Sequence, residues 1–494
     1  MNHNSTLELL NANLEGNRGE RIAYIDRDGS HSYRSLADRS RQFAHLLGAA
    51  GIAPGERLLL ALEDTVAFPI CFLGALQAGV VAVPLNTLLT AGDFAFIAQD
   101  SGAVGVVASA GLIDRMPAGL VQFGVDSDVD GWRDLDVALS GQPATPADPV
   151  SGGADVAFWL YTSGTTGKPK GVMHSHADLL ATAELYGQGV LGLSGEDVVF
   201  SAPKLFFAYG LGNALTFPLS VGATVVLLDT MPRPETVREI LQKHRPTVFF
   251  GVPTLYARLL NTGNAPRDHC LRLCVSAGEA LPETILRRWR EATGVEILDG
   301  IGSTEMLHMY LSNRAGDIRP GTSGTPVAGY RVKILDDAGN EVPDGDMGDL
   351  YVAGPSRTSG YWNRPELNRA TFDGPWMHTG DKYLRDESGA YVYCGRRDDL
   401  LKVGGIYVSP MEVENALLEH EAVAEAAVVG QADDDELIKP KAFVVLKKKK
   451  MDEQTLIDYV AARLAVYKRP RWVEFVDQLP KTATGKIQRF KLRK

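Results

Sequence analysis

The chain has 494 residues, 45% of them apolar and 22% charged, with 51 Gly and 26 Pro. Those fractions exclude a collagen-like, coiled-coil or disordered chain, and the length suits two to four domains that each bury a core. With 50 Lys+Arg against 61 Asp+Glu the net charge is −11, which argues against a nucleic-acid binder, since such proteins usually need a basic face.

Met1 to Leu10 carries Asn and Glu ahead of its leucines. It has neither a basic start nor a long apolar run, so no signal peptide is expected. Val66 to Leu85 is free of charge over about the length of a bilayer span. Pro69, Gly74, Gln77, Gly79 and Pro84 interrupt it. The run therefore predicts a buried helix that breaks at Gly79 and continues as a buried strand through Val80–Val83, not a membrane span. Cys71, Cys270, Cys274 and Cys394 form no CxxC pair. They read as packed thiols of a reducing compartment, the cytoplasm.

Residues 1–150 alternate strand-like and helix-like runs weakly. From Ser151 to Gly302 the alternation is clear. Strands are expected at Val156–Tyr161, Val198–Ala202, Thr224–Asp229, Thr247–Val252, Leu273–Ser276 and Val295–Leu298. Pro234–His244 and Pro282–Thr293 open with Pro-Glu and carry basic residues later, as helix ends and the helix dipole favour. Near-continuous apolar strands with helices between them predict a parallel sheet covered on both faces.

Between Gly324 and Tyr393 short strand-like runs (Arg331–Leu335, Gly348–Ala353, Ala390–Cys394) are separated by turns such as DDAGN and PDGD, the pattern of a small antiparallel β unit. After Gly395–Asp399 the pattern becomes α+β. A helix is expected from Pro410, a strand near Ala442–Leu446, a helix near Asp452–Ala465 and a strand near Trp472–Val476. Lys447–Lys450 reads as a solvated loop. Residues 397–494 hold 18 Lys+Arg and 16 Asp+Glu, a balance of +2; the rest of the chain carries −13. This places a boundary at 396/397. Residues 1–396 form one part, with a β-rich subdomain at 324–395, and residues 397–494 a small basic part.

Tyr161–Gly171 (YTSGTTGKPKG) follows an apolar strand. Its Ser, Thr and Gly offer backbone N–H groups and hydroxyls to phosphate oxygens, and Lys168 and Lys170 add charge. It is not a P-loop: Thr162 stands where that pattern needs Gly, and Pro169 where it needs Ser or Thr. Gly300-Ile301-Gly302 fails the dinucleotide fingerprint at Glu305. Glu305 itself follows a Gly-rich turn at a strand end, where ligands of parallel sheets gather, and one carboxylate plus phosphate oxygens suits Mg²⁺.

YTSGTTGKPKG resembles the phosphate loop of the adenylate-forming superfamily of acyl-CoA synthetases, adenylation domains and luciferases. Further motifs of that family follow in order: SAGE at 276–279, DGIGSTE at 299–305, GYWNRPE at 360–366, HTGD at 378–381, GRRDDLLKVGG at 395–405 and PKTATGK at 480–486. The resemblance covers nearly the whole chain. It implies an α/β fold: a large N-terminal domain of parallel-sheet subdomains with a small β-barrel, and a small mobile α+β C-terminal domain. It implies that Thr162, Ser163, Gly164, Thr165, Thr166, Gly167 and Lys170 cradle phosphate. Gly278, Glu279, Asp299, Gly300 and Ile301 would frame adenine. Thr304 would touch phosphate, and Glu305 would help hold Mg²⁺. Asp381, expected in a short turn, would accept the ribose hydroxyls, and Arg396 would reach ribose and phosphate. Lys486, in a Gly-Lys turn flanked by Thr482, Thr484 and Arg489, is the implied adenylation lysine. Asp398 falls at the implied hinge.

Lys402-Val-Gly-Gly405 suits a pantetheine arm, so CoA is the expected acceptor. A carrier protein is the alternative, but this chain contains no carrier domain. Phe207, Ala208 and Tyr209 offer no acid where amino-acid adenylation domains pair the substrate ammonium, which disfavours an amino acid. PKLFFAYGLGN with GIGSTEMLHMYLSN resembles benzoate-CoA and 4-hydroxybenzoate-CoA ligases. That likeness implies an aryl pocket of Ala208, Tyr209, Ala277, Gly302, His308, Met309 and Lys402, flat enough for a benzene ring. The expected reactants are a small aromatic carboxylate, ATP and CoA; cinnamate-like and fatty acids, and a stand-alone adenylating enzyme, are the alternatives. The PKTxxGK context resembles that of relatives regulated on this lysine, which implies a lysine acetyltransferase as partner of Lys486. Monomer and homodimer are both compatible with the sequence.

Overall fold

Two large sheets carry the fold in this computed structural model. It describes residues 4–15, 18–146, 150–163, 169–403, 406–433, 437–447, 451–481 and 487–493, the side chains of 163, 398, 402, 406 and 407 excepted. The expected sites Gly164–Gly167 and Lys486, and Lys448–Lys450, lie outside the described residues.

In the nine-stranded sheet Ile297–Gly302, Leu273–Ser276, Val248–Gly251, Val198–Ser201, Thr224–Val226 and Ile22–Asp26 run parallel in that spatial order. Antiparallel strands close its edges: Met309–Ser312 and then Thr325–Pro326 on one side, Gly29–Ser32 on the other. The central strands are buried throughout, Val248–Gly251 and Leu273–Ser276 in every residue, as a sheet covered on both faces requires. Helix Pro234–Lys243 starts on Pro with Glu235 in its first turn and ends on Lys243. Helix Glu283–Thr293 stops at Gly294, whose φ of +75° takes the left-handed conformation that ends many helices.

The eight-stranded sheet is built on Arg57–Ala61, paired in parallel with Val81–Pro84 and Gly105–Ser109. The uncharged run at 66–85 becomes the fully buried helix Ala67–Gln77, Gly79 at φ +70°, and the strand Val81–Pro84. Among the described residues no helix is long and apolar enough to cross a membrane. Val156–Ser163 departs from expectation. It lies in this second sheet, parallel to Val81–Pro84 and antiparallel to Pro169–Ser175, with Thr162 opposite Lys170. Only five residues separate those two strands, too few for a crossover helix, so the chain returns as a hairpin.

The β unit has five antiparallel strands: Arg331–Leu335, Gly348–Ala353, Trp376–Arg385, Phe372–Asp373 and Tyr391–Arg396. Among the described residues the expected barrel is not closed by a pairing of Arg331–Leu335 with Tyr391–Arg396. On its other side Tyr391 is also bonded, the Ser323 N–H donating to its carbonyl at 2.8 Å and its own N–H to the Gly324 carbonyl at 2.9 Å. Asp381 is not in a short turn. It sits inside the strand Trp376–Arg385, where the register slips so that Leu350 faces Thr379–Asp381. Gly380, at φ +75°, supplies the bulge, and a bulge re-aims the side chains beside it.

Past residue 400, helix Pro410–Leu418 and helix Glu453–Ala461 pack on the strands Val423–Ala432, Ile438–Leu446 and Trp472–Phe475, with Val413, Val428, Val444 and Leu456 in a separate core.

Candidate active site

The sequence-predicted adenine residues gather where the parallel strands Leu273–Ser276 and Ile297–Gly302 end, the side on which open α/β sheets bind ligands. Gly278 has φ +91°, a conformation that favours glycine. Glu279 accepts the Thr254 hydroxyl at 3.2 Å. Asp299 is 6% exposed. One of its oxygens accepts the Leu281 N–H at 3.2 Å. Burial pushes its carboxyl up to about 8. A Cβ at Gly300 would stand 2.6 Å from the Leu311 carbonyl, and one at Gly302 would stand 2.5 Å from that of His308. Both positions therefore require glycine.

Glu305 lies on the short helix Thr304–Met306, which Ser303 caps by accepting the Met306 N–H at 3.2 Å. Its Oε1 accepts the Tyr361 hydroxyl at 2.7 Å and stands 3.5 Å from Lys170 Nζ. The same ammonium lies 3.9 Å from the centre of the Tyr361 ring. Burial pulls the Lys170 ammonium below its ordinary value, against the opposing charge of Glu305. Three consecutive carbonyls of the turn are held from outside. That of Thr304 accepts from His174 Nε2 at 2.7 Å, that of Glu305 from the Thr358 N–H at 2.8 Å, and that of Met306 from the Ser356 hydroxyl at 2.7 Å. His174 is buried, and its other nitrogen stands 2.7 Å from Asp178. Leu307 then takes φ +61°. Strain of this kind persists only where the surroundings fix it.

Asp381 and Arg396 face each other across paired strands. Arg396 Nη1 donates to Asp381 at 3.1 Å and to the Thr379 carbonyl at 3.0 Å. Tyr310 is fully buried: burial first, then the charges of Asp381 and Glu305, push its phenol well up. Glu305, Lys170, Asp381 and Arg396 thus share one polar neighbourhood.

Several of the residues expected to line an aryl pocket lie close together. Ala208 and Tyr209 open the helix Ala208–Leu211, which runs on as a π-helix over Gly212–Thr216. His308 is packed against Tyr209, Tyr186 and Phe217 with ring centres 5.5, 4.9 and 4.6 Å away. Its Nε2 stands 3.1 Å from Asn213. Burial pulls His308 down to about 3, so the ring is neutral at physiological pH. Ala277 and Met309 are buried in the same core, and a Cβ at Gly300 would stand 2.8 Å from Met309 Sδ. The side chains of Ser163, Asp398 and Lys402 lie outside the described residues. Sequence reasoning singled out neither His174, Ser356 and Thr358, nor Tyr361 as the partner of Glu305. Tyr361 stands in the GYWNRPE motif, but nothing local marks the other three.

A family model of AMP-binding enzymes matches residues 11–362, and a model of the AMP-binding enzyme C-terminal domain matches residues 412–486. The chain belongs to the AMP-binding enzyme family. Members of this family like it in sequence include a benzoate–CoA ligase of Thauera aromatica, 51% identical over 99% of this chain and 96% of that one. A 4-hydroxybenzoate–CoA/benzoate–CoA ligase of Rhodopseudomonas palustris is 43% identical over 99% and 94%. Among solved structures, a benzoate CoA ligase from Burkholderia xenovorans superposes with a TM-score of 0.93 at 50% identity, over 99% of this chain and all of that one. An anthranilate CoA ligase in complex with anthranoyl-AMP superposes at 0.95 and 40% identity, over 99% and 96%.

Proposed function

We propose that this family member is an ATP-dependent aryl-CoA ligase, an acid–thiol ligase for benzoate or a simple substituted benzoate. The observation that carries the reading is the uncharged aromatic wall of Tyr209 and neutral His308 beside the Glu305–Lys170 neighbourhood. The full-length likeness to benzoate–CoA ligases supports it. In the first step a benzoate oxygen attacks the α-phosphorus of ATP, the bond to the β-phosphate oxygen breaks, and pyrophosphate leaves. In the second the CoA sulfur, having lost its proton, attacks the acyl carbon and AMP leaves.

The residues have the following roles. Residues 162–167 and Lys170 hold phosphates, and Thr304 touches phosphate. Asp381 takes the ribose hydroxyls and Arg396 spans ribose and phosphate. Gly278, Glu279, Asp299, Gly300 and Ile301 frame adenine. Ala208, Tyr209, Ala277, Gly302, His308 and Met309 enclose the ring, with Lys402 at its edge. Lys486 bridges the substrate carboxylate and the α-phosphate as charge develops. Mg²⁺ needs only one or two carboxylates besides phosphate oxygens. Glu305, held in place by Tyr361 and by the three propped carbonyls, fits that need. When bound, the ion neutralises phosphate charge.

The chain divides at 396/397 into a body and a mobile lid that hinges at Asp398. Ion pairs on either side of Asp398 support the hinge, with Arg397, the lid's first residue by that boundary, tied back to the body. Arg397 is held by Asp349 of the body at 3.0 Å, whereas Asp399 is held by the lid's Arg493 and, at 3.9 Å, Arg489. Acetylation of Lys486 would remove its charge, so a lysine acetyltransferase is a fitting regulator; protein from the native host carrying no acetyl-Lys486 by mass spectrometry would refute that.

The test is pyrophosphate and AMP release with benzoate, with and without CoA. Sustained AMP release that requires both is expected, and its absence with CoA present sinks the reading. Lys486→Ala should abolish adenylation yet spare thioester formation from supplied benzoyl-AMP; equal loss of both would remove its assigned role.

A further inference from the structure

Residues 480–489 carry the lysine to which the first half-reaction has been assigned, and both stems of that segment are described. Lys481 and Ile487 pair as an antiparallel bridge, and the Gln488 N–H donates to the Pro480 carbonyl at 2.8 Å. Each stem ends on a carboxylate of a different element. Lys481 Nζ donates to Glu425 Oε1 on the strand Val423–Ala432 at 2.7 Å. Arg489 makes a fork to Glu414 on the helix Pro410–Leu418, Nε to Oε1 at 3.1 Å and Nη2 to Oε2 at 2.7 Å. Glu414 is 6% exposed, and its Oε1 also accepts the Val428 N–H at 2.7 Å. Ile487 packs on the cluster of Ala427, Val429, Phe443 and Leu479.

A buried carboxylate is costly unless it is fully bonded, and a fork to guanidinium is among the geometries that satisfy it. A lysine side chain is long and flexible. To bridge two oxygens in a transition state, its backbone must be placed within a fraction of an ångström. We infer that Glu414 and Glu425 are positioning residues that clamp the two stems of the 482–486 segment and so set the reach of Lys486 in adenylation. The inference rests on the reading of Lys486 as the adenylation lysine. Both carboxylates act through Arg489 and Lys481 and touch no substrate. The clamp lies wholly within residues 410–489, so it travels with the lid. Its loss falls on the half-reaction that uses Lys486 and leaves thioester formation alone.

The experiment uses the full-length protein with Glu414→Gln, Glu425→Gln and Lys486→Ala. It compares benzoate-dependent ATP–pyrophosphate exchange with thioester formation from supplied benzoyl-AMP and CoA. Exchange kcat should fall on the order of tenfold to a hundredfold in both Gln variants, with KM for ATP and benzoate nearly unchanged and thioester formation preserved. Pairing Glu425→Lys with Lys481→Glu should restore exchange. Equal loss in both half-reactions, or no loss in exchange, overturns the inference. Should Glu414→Gln damage the lid core, thioester formation would drop too; Glu425, more exposed, then decides alone. If Lys486→Ala keeps exchange, the underlying reading fails. If it loses exchange while both Gln variants keep it, only the clamp fails.

Discussion

Asp299 shows how burial at one residue becomes a property of the whole protein. Burial raises its carboxyl to about 8, against the opposing pull of the Leu281 and Gly300 N–H groups and of Ser276. An unfolded Asp titrates near ~3.9. The folded state therefore holds a proton that the unfolded state has lost. The stabilisation this gives is complete below about pH 4 and disappears as pH rises through about 8. Asp64, raised to about 6, acts with the same sign at lower pH. His308 and His176, lowered to about 3 and about 4, add no slope above the unfolded histidine value of about 6.5. From pH 7 to 8 Asp299 acts together with the thiols of Cys71, Cys274 and Cys394, which burial pushes up, so its own part is the difference between the parent and Asp299→Asn. In denaturant unfolding the parent's stability should fall more steeply than the variant's, by up to about 1.4 kcal/mol per pH unit. A variant with the parent's slope would show that Asp299 is ionised in the fold.

At the scale of elements, the loop that leads into the proposed aryl wall is tied across the two large sheets. Asp64 follows the strand Arg57–Ala61 of one sheet and is 3% exposed. Its oxygens accept the Leu205 N–H at 3.3 and 3.4 Å and lie 3.8 Å from Lys204 Nζ. Lys204 also donates to the Leu228 carbonyl. Burial raises the Asp64 carboxyl, Lys204 lowers it, and Asp229 and Glu63 push it up again. Asp64→Asn should raise KM for benzoate several-fold with KM for ATP unchanged. The parent's KM for benzoate should rise as pH falls through about 6, and that rise should be absent in the variant. Equal effects on both KM values would remove the assignment. The tie itself is invisible in sequence, because Asp64 and Lys204 are 140 positions apart. Elements with strong local signals were legible, such as the helices that open with Pro-Glu and the buried Val and Leu strands. The strand Trp376–Arg385 was not, since Thr379-Gly380-Asp381 has the composition of a turn and becomes a bulge only when paired. Val423–Ala432 was hidden by its alanines, which have weak strand preference. The site motifs were legible because their spacing is local. The props on Glu305 were not, because His174, Ser356 and Thr358 meet the turn only in the folded protein.

At the scale of the molecule, the proposed two-step reaction asks one site to hold two different reactants in succession. A basic lid on an acidic body meets that demand if the lid can take two orientations. The proposed hinge at Asp398 lies between two sets of ion pairs: Arg397 with Asp349, and Asp399 with Arg493 and Arg489. Rotation then requires the backbone torsions at 398 to change while its neighbours stay bound. Proline fixes φ near −65° and restricts the residue before it. Asp398→Pro should therefore hold the lid in one orientation. One half-reaction should stay within a few-fold of the parent while the other falls on the order of a hundredfold, and overall CoA ligation should run at the slower rate. The two rates are measured separately, as pyrophosphate exchange and as thioester formation from supplied benzoyl-AMP. If both persist unchanged, the pivot is not at 398; if both fall together, the residue supports the fold and does not govern its motion.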